Sequence, residues 1–416
     1  MRTRTLKFWK IAPCLFAIIV DYMGLGLVYP VVTALFTDVP DTVFPKIQSL
    51  SARDFYLGLS YLLYPLFMFF GASLLGDFSD NYGRKKVLIF AMGGILVSFL
   101  LMSFGISTHA IWLFLVGRAL SGLMAGSQPL CMAAIADLST PATKAKNMSL
   151  VTLTNCIGLI FGPFIAGVFT NSYFLKIMGF SFPFLIAALF ALIGLLLLVF
   201  LFEETFKVET KKRLHPARPI TIFIDAFKSH KVLLLVVAVF LQMLGFMLYY
   251  QTIGVYLRET LQYTSSKLGF FYGFMGVFFA IGVLVVIPYV LKRWKIESIA
   301  MWGFFVCGLS ALISIFYKNE IYLWITVIPF AAANATGFTA IATLFSHSTN
   351  KKNQGWIMGV LAATVALSYV VSGFSTNLLP YLSSAPIIAI GGVCGMLSGI
   401  LLFYYRSRYQ KNTIVN

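Results

Sequence analysis

Twelve long apolar segments limit what this chain of 416 residues can fold into more than any other feature. A segment of about 20 apolar residues crosses a lipid bilayer as a helix. Inside the bilayer the backbone must satisfy its own hydrogen bonds, so an open, irregular chain cannot span it. The pattern predicts an all-α integral membrane protein whose twelve transmembrane helices lie near 9–36, 54–75, 87–107, 110–136, 147–171, 181–202, 232–257, 265–290, 298–317, 321–346, 354–380 and 384–405.

The charges indicate how these helices are oriented. The net charge of +17 would suggest a nucleic-acid partner if the basic residues were clustered on one surface. Instead, 24 of the 31 basic residues fall at the termini and in alternate connections, six fall in the others, and Arg118 lies within a span. Such a bias is typical of cytoplasmic segments. We expect a multi-pass protein of the inner or plasma membrane with both termini in the cytoplasm, in contact with lipid and with no nucleic acid.

Neither a signal peptide nor a cysteine-based site is expected. The N-terminal apolar run follows a basic head but is long and contains Asp21, so it is interpreted as the first membrane helix. The five cysteines are odd in number and all fall within predicted spans. They are interpreted as packing residues, without a disulfide framework or a metal site.

A charged connection divides the spans six and six. Residues 203–231 contain Pro216 and Pro219 and separate an N-terminal six-helix bundle, 1–202, from a C-terminal bundle and tail, 232–416. Asp21 to Gly24 aligns weakly with Gln242 to Gly245, which suggests two pseudo-repeat halves. Transporters built from parallel repeats bind substrate between the halves, near the bilayer midplane.

The loop GDFSDNYGRKK, between the second and third spans, is dense in charge and glycine. It resembles the signature loop of the major facilitator superfamily, G-x-x-x-D-[R/K]-x-G-[R/K]-[R/K], at Gly76, Asp80, Gly83, Arg84 and Lys85, with Asn81 in place of a usual base. The resemblance implies a conformational latch that stabilises the outward-facing state through charge contacts between the halves.

Ordinary helix capping and positive-inside charges are the alternative interpretation of this loop. Gly76 would allow a neighbouring helix to come close. Asp137, inward by topology at the end of the fourth span, either helps the latch or caps its own loop. The corresponding stretch of the second half, Pro288 to Ile296, has lost the acid and the glycine, so only the first half keeps the device.

Asp21 lies deep in the first span, in VDYMGLGLVYPVV. A charge at the centre of a membrane helix costs about 2.5–3.5 kcal/mol on insertion scales, so this acid is protonated, paired or in contact with water. A neutral acid bonded within the bundle and a site for a proton or cation both remain open. The segment resembles the first helix of tetracycline and multidrug/proton antiporters, D-x-x-G-x-G-L-x-x-P, which implies that the acid is needed for transport.

Arg118 lies within the fourth span, in RALSGLMAGSQP. A guanidinium stays charged and must contact an acid, a carbonyl or water. The pattern R-x-x-x-G-x-x-x-G resembles the fourth-helix motif of the family, in which the arginine is implicated in proton coupling. We hypothesise that burial and a nearby Arg118 act in opposite senses on the proton affinity of Asp21, so that small movements switch its protonation. Whether the two side chains meet depends on the tertiary structure.

The fifth span contains GLIFGPFIAG, with Gly158, Gly162, Pro163 and Gly167. It resembles the motif G-x-x-x-G-P-x-x-G-G of antiporters, with Ala166 in place of one glycine. A smooth, bent and well-packed helix is the alternative interpretation.

Uncharged polar residues near the midplane suggest a substrate cavity. Interleaved Phe and Met with a few hydrogen-bonding groups suit an amphipathic or aromatic solute, although each aromatic side chain alone is more typical of packing than of ligand contact. A small, highly anionic substrate is disfavoured. The candidate lining is Tyr22 from the first half with Gln242, Tyr249, Tyr250, Gln251, Asn334 and Tyr369 from the second.

The chain contains no P-loop of the form G-x-x-x-x-G-K-[S/T] and no nucleophile constellation, which argues against an ATP-driven exporter and an enzyme. We therefore expect a monomeric secondary transporter without a cofactor, powered by a proton gradient, that exports a small amphipathic compound by alternating access. Two alternatives remain open: a dedicated exporter or importer of one natural metabolite, such as a siderophore or lipid precursor, and a non-transporting sensor or scaffold.

Overall fold

A computed structural model describes residues 2–37, 43–44, 49–125, 127–139, 141–170, 179–205, 230–348, 354–375 and 382–410. These residues form helices and no strand. The α-helices are α1 Arg2–Thr37, α2 Leu50–Tyr82, α3 Arg84–Ser107, α4 Ile111–Met124, α5 Ser127–Asp137, α6 Pro141–Phe169, α7 Phe182–Phe200, α8 His230–Leu261, α9 Ser265–Ile281, α10 Ile287–Val290, α11 Ile296–Ser314, α12 Glu320–His347, α13 Gln354–Ser375 and α14 Ser384–Gln410.

The predicted spans and fold class are confirmed. Twelve helical stretches of the described chain are long and apolar enough to cross a membrane, and each overlaps one predicted span. Two spans differ in detail from a single straight helix. The fourth is divided into α4 and α5, and the eighth contains a π-helical segment, Gly282–Val286, followed by Pro288. Proline lacks an N–H group, and widened turns near it are a usual way to accommodate the missing hydrogen bond.

The chain divides into two compact units, Met1–Pro216 with Thr264–Gly273, and Ala217–Tyr263 with Phe274–Asn416. The predicted boundaries at 202 and 232 stay a prediction. Most of the predicted linker, residues 206–229, lies outside the described residues.

In the first unit, α1 packs along α6, α4 packs against α2, and α3 packs against α4 and α7. Glycines of α6 allow α1 to come close. A Cβ at Gly162 would stand 2.6 Å from the backbone N of Leu27, and one at Gly158 would stand 2.6 Å from the carbonyl O of Ile19. Because those are backbone atoms of α1, they cannot move aside, so the two helices meet at this distance only with glycine on α6.

In the second unit, α8 packs against α13 and α14, and α11 packs against α12 and α14. Its core includes an aromatic group around Phe330, whose ring centroid lies 3.9 Å from that of Tyr249 and 5.6 Å from that of Phe246. Large aromatic side chains of this kind fill space between helices and hold them in register.

Candidate functional site

A small cavity in the first unit brings together the two charged residues within membrane spans that the sequence singled out. Its volume is about 10 Å³, near the lower limit for one water molecule. The lining comes from α1, α2, α3 and α4 with the residue that follows α4: Asp21, Gly24, Leu25, Tyr64, Ile95, Phe99, Arg118, Ser121 and Ala125. The site is therefore an apolar, aromatic-walled space holding one acid and one base.

Asp21 is held by a serine at the helix break of the fourth span. Ser127 is the first residue of α5, and its hydroxyl donates to Oδ2 of Asp21. Because α4 ends at Met124, the chain can redirect at this point and aim the hydroxyl at α1. Sequence reasoning missed Ser127, since nothing in the pattern RALSGLMAGSQP shows where the helix divides.

Arg118 is 2 % exposed and is satisfied without an acid. Its Nε donates to the carbonyl O of Ser60 at 2.8 Å, and its guanidinium carbon lies 5.1 Å from the ring centroid of Tyr64. A backbone carbonyl and an aromatic face are both ways to stabilise a buried guanidinium. Among the described residues, no ion pair joins Asp21 to Arg118 within 4.0 Å, although both line the cavity.

The wall beside Arg118 is held by hydroxyl groups. The hydroxyls of Thr33 and Tyr61 are 2.7 Å apart, and the Thr33 hydroxyl also donates to the carbonyl O of Tyr29 at 2.8 Å. The rings of Tyr29 and Tyr61 have centroids 5.0 Å apart. These contacts join α1 to α2 on the side of the helix that carries Ser60.

The glycine motif of α6 fixes the position of α1 near Asp21. A Cβ at Gly26 would meet the ring of Pro163 at 2.7 Å, and one at Gly158 would meet the Tyr22 side chain at 2.6 Å. Tyr22 is half-buried and does not line the cavity. Gly167, further along α6, lies against Gly269 in the segment Thr264–Gly273 of the same unit. The structure thus uses the motif for close packing one turn from the buried acid.

At the signature loop, Gly83 has a φ of 93° and ends α2 immediately before α3 begins. The Nε of Arg84 lies 3.5 Å from Oδ2 of Asp137, and its Nη1 donates to the hydroxyl of Ser79 at 2.7 Å. The contact between Arg84 and Asp137 was among the sequence-based possibilities, and it lies inside the first unit. The role of this contact as a latch stays a prediction.

Gly76 and Asp80 of the signature loop both lie on α2. Around Gly76, no heavy atom of the described residues lies within 4 Å of the position that a Cβ would take, so the expected close helix approach is not present here. Asp80 belongs to α2, but its side chain lies outside the described residues.

Two adjacent acids that sequence reasoning missed meet this loop and α1. Glu204 accepts hydrogen bonds from the backbone N–H groups of Arg84 at 2.8 Å and Lys85 at 3.0 Å. Glu203 contacts Nζ of Lys10 at 2.6 Å, and this ammonium holds the pKa of the Glu203 carboxyl below its usual range. The sequence carried one signal for these two acids: they directly follow the predicted span 181–202, on the side of the membrane where basic residues predominate.

Five of the six polar residues predicted in the second half are buried, and two of them, Gln242 and Asn334, bond with each other. The Gln242 side-chain amide donates to Oδ1 of Asn334 at 2.8 Å, and that of Gln251 to the Ser372 hydroxyl at 3.3 Å. Tyr249 and Tyr250 are buried near Phe246 and Phe330, while Tyr369 is half-buried on α13. None of the six lines the cavity of Asp21 and Arg118, and their role as a substrate lining stays a prediction.

A family model and a curated relative both match this chain over most of its length. A sequence model of the Major Facilitator Superfamily matches residues 14–373. The class C tetracycline resistance protein of Escherichia coli is 24% identical over 351 residues, which cover 84% of this chain and 84% of that protein.

Two solved structures share the fold at 16% sequence identity. The human organic anion transporter MFSD10 (TETRAN) has a TM-score of 0.71 and covers 95% of this chain and 99% of its own. A D-xylose-proton symporter has a TM-score of 0.77 and covers 96% of this chain and 97% of its own. Since one structural neighbour is a sugar symporter and the other an organic anion transporter, likeness at this level concerns the fold alone.

Proposed function

The chain belongs to the Major Facilitator Superfamily, and on that premise we propose that it exports a small amphipathic organic compound in exchange for protons. Members of this family are carriers rather than enzymes. Transport would proceed by alternating access across an inner or plasma membrane, with both termini in the cytoplasm and the protein acting as a monomer. Each proton that enters contributes about 2.3 kcal/mol per 100 mV of membrane potential.

The observation that carries this proposal is Asp21, a half-buried acid within a membrane span, which lines a cavity of about 10 Å³ together with Arg118. An acid inside the bilayer is a default candidate for proton or ion coupling. The Ser127 hydroxyl donates to its carboxyl, and the apolar side chains of Leu25 and Phe99 line the same cavity. The tetracycline resistance relatives, whose similarity extends over most of the chain, favour export over import.

Within this proposal, Arg118 keeps the cavity charged while Asp21 gains and loses its proton. The polar groups near Asp21 or in its cavity include the Ser127 hydroxyl, the Cys131 thiol, Ser121, the Tyr64 ring and the Arg118 guanidinium. Because the arginine is stabilised by Ser60 and Tyr64 rather than by Asp21, it does not need the ionised carboxylate to remain in place. Asp21 is thereby free to titrate during the cycle.

The test uses the purified full-length protein in proteoliposomes with a pH-sensitive dye inside, against a panel of amphipathic solutes. We expect a transported solute to release lumenal protons in wild type, and Asp21→Asn to abolish the release while solute binding persists. Asp54→Asn, at the start of α2, is the matched control and should behave as wild type.

Three outcomes would contradict the proposal. Full exchange by Asp21→Asn would remove the acid from the mechanism. Proton and solute moving in the same direction would identify a symporter, such as a metabolite importer. No solute-dependent flux of any kind would favour the sensor or scaffold.

A further inference from the structure

The carboxylate of Glu204 occupies the N-terminal end of α3. It accepts hydrogen bonds from the backbone N–H groups of Arg84 and Lys85, the first two residues of that helix, at 2.8 and 3.0 Å. The first N–H groups of any helix lack intrahelical partners and carry a partial positive charge. Glu204 therefore acts as an N-cap that comes from about 120 residues away, just beyond the end of α7, and not from the residue before α3.

Gly83 occupies the N-cap position of α3 but has no side chain that could accept a hydrogen bond from the helix. Its conformation leaves room for the Glu204 carboxylate. Its φ of 93° with ψ of 155° lies in a region that is essentially restricted to glycine. A Cβ at Gly83 would stand 2.5 Å from Oε2 and 2.9 Å from Cδ of Glu204. The glycine of the signature loop is thus required for its backbone angle, and a side chain there would displace the Glu204 carboxyl group.

Arg84, one of the two residues that Glu204 caps, carries the charge contact of the loop with Asp137. The side chain of Arg84 reaches Ser79 and Asp137, while its backbone N–H is held by Glu204. Glu203, next in the chain, contacts Lys10 of α1. The contacts therefore join the start of α1, the start of α3, the end of α5 and the end of α7 within the first unit.

We propose that Glu204 is the positioning residue of the latch: by holding the backbone at the start of α3, it sets the direction in which Arg84 reaches Asp137. Glu204 contacts neither solute nor proton in this role. Its effect on transport rests on the proposed function, because it acts through the conformational step of the cycle. Its effect on α3 does not, since the hydrogen bonds exist whatever the chain transports.

The first test measures amide hydrogen–deuterium exchange in the full-length protein in detergent. In Glu204→Ala we expect the amides of Arg84 and Lys85 to exchange roughly tenfold faster, as expected for lost capping bonds, while the middle of α3 is unchanged. Glu204→Gln, which keeps one acceptor oxygen, should fall between. Glu203→Ala is the matched control and should leave both amides as in wild type. Unchanged exchange at Arg84 and Lys85 would overturn the inference.

A second test separates positioning from simple stabilisation. We expect Glu204→Ala to lower the maximal exchange rate about threefold or more with little change in KM, and to have almost no further effect in an Asp137→Asn background. Additive effects of the two substitutions would show that Glu204 does not act through the contact of Arg84 with Asp137, and would overturn the positioning role.

A steric test needs no transport at all. Gly83→Ala should lower the melting temperature more in wild type than in Glu204→Ala, because the smaller side chain frees the space beside Gly83. Equal losses in the two backgrounds would contradict the described packing. If wild type moves no solute, the proposed function fails, whereas the exchange and melting experiments still decide on Glu204.

Discussion

At the scale of single residues, Asp21 and Arg118 are stabilised separately. Arg118 contacts a carbonyl of α2 and the face of Tyr64, and Asp21 accepts from a hydroxyl of α5. The hypothesis that burial and a nearby Arg118 act in opposite senses on the proton affinity of Asp21 stays a prediction, and it does not need an ion pair. The two groups share a cavity, so they influence each other through space and through any water between them rather than by direct contact.

Arg118→Lys tests whether the guanidinium itself is needed. A lysine ammonium cannot donate from the Nε position and stack on Tyr64 at the same time, so we expect a less stable protein with slower exchange. Loss of a hydrogen bond from a charged donor corresponds to about 1.5–3 kcal/mol. The measurements are the melting temperature and the exchange rate in proteoliposomes.

Arg408→Lys provides the comparison, because Arg408 is exposed and stacks on Tyr404 with its guanidinium carbon 5.9 Å from the ring centroid. We expect this variant to resemble wild type. If both variants melt and transport as wild type does, the geometry around Arg118 has no special importance.

At the scale of elements, the glycine motif of α6 determines where α1 lies. Gly158 and Gly162 allow backbone contact between the two helices on either side of the turn that follows Asp21. The motif was predicted to give α6 a smooth face. In the structure α1 packs on that face, a partner that the sequence did not identify. The separation of α4 from α5 was not predicted, because the apolar pattern runs through both.

Gly162→Ala should separate α1 from α6, since its Cβ would stand 2.6 Å from the backbone N of Leu27. Overpacking of this kind costs about 1–3 kcal/mol. We expect a lower melting temperature in detergent and reduced exchange, because the movement of α1 carries Asp21 away from Ser127.

Gly93→Ala is the matched control, as no heavy atom of the described residues lies within 4 Å of the Cβ position there. Alanine favours a helix more than glycine does, so this variant should be as stable as wild type or more so. Equal destabilisation by the two substitutions would contradict the described contact of α6 with α1.

At the scale of the whole molecule, twelve spans in alternating directions place the contacts at Lys10, Arg84, Asp137 and Glu204 at one end of the first unit. The positive-inside bias predicts that this end faces the cytoplasm. Asp137, Glu203 and Glu204 therefore lie among the excess basic residues of that side and neutralise part of their charge. Such contacts within one unit favour its movement as a rigid body, as the proposed alternating access would require.

Membrane orientation can be tested with two exposed lysines in successive connections. We expect Lys318→Cys to react with a membrane-impermeant maleimide from outside intact cells, and Lys295→Cys to react only after permeabilisation. The wild-type chain, in which four of five cysteines are buried, is the control for background labelling. The reverse pattern would refute cytoplasmic termini.

The sequence by itself determined the class of the molecule: twelve apolar spans force helices because lipid offers the backbone no hydrogen bonds. It also identified Asp21 and Arg118, since buried charges are conspicuous in any apolar segment. Only the tertiary structure decided their partners. Ser127, Ser60 and Tyr64 are ordinary residues whose importance comes from the direction in which they point. Glu204 reaches Gly83 across about 120 residues, and a contact of that sequence separation is set by helix packing, which local patterns of hydrophobicity and charge do not specify.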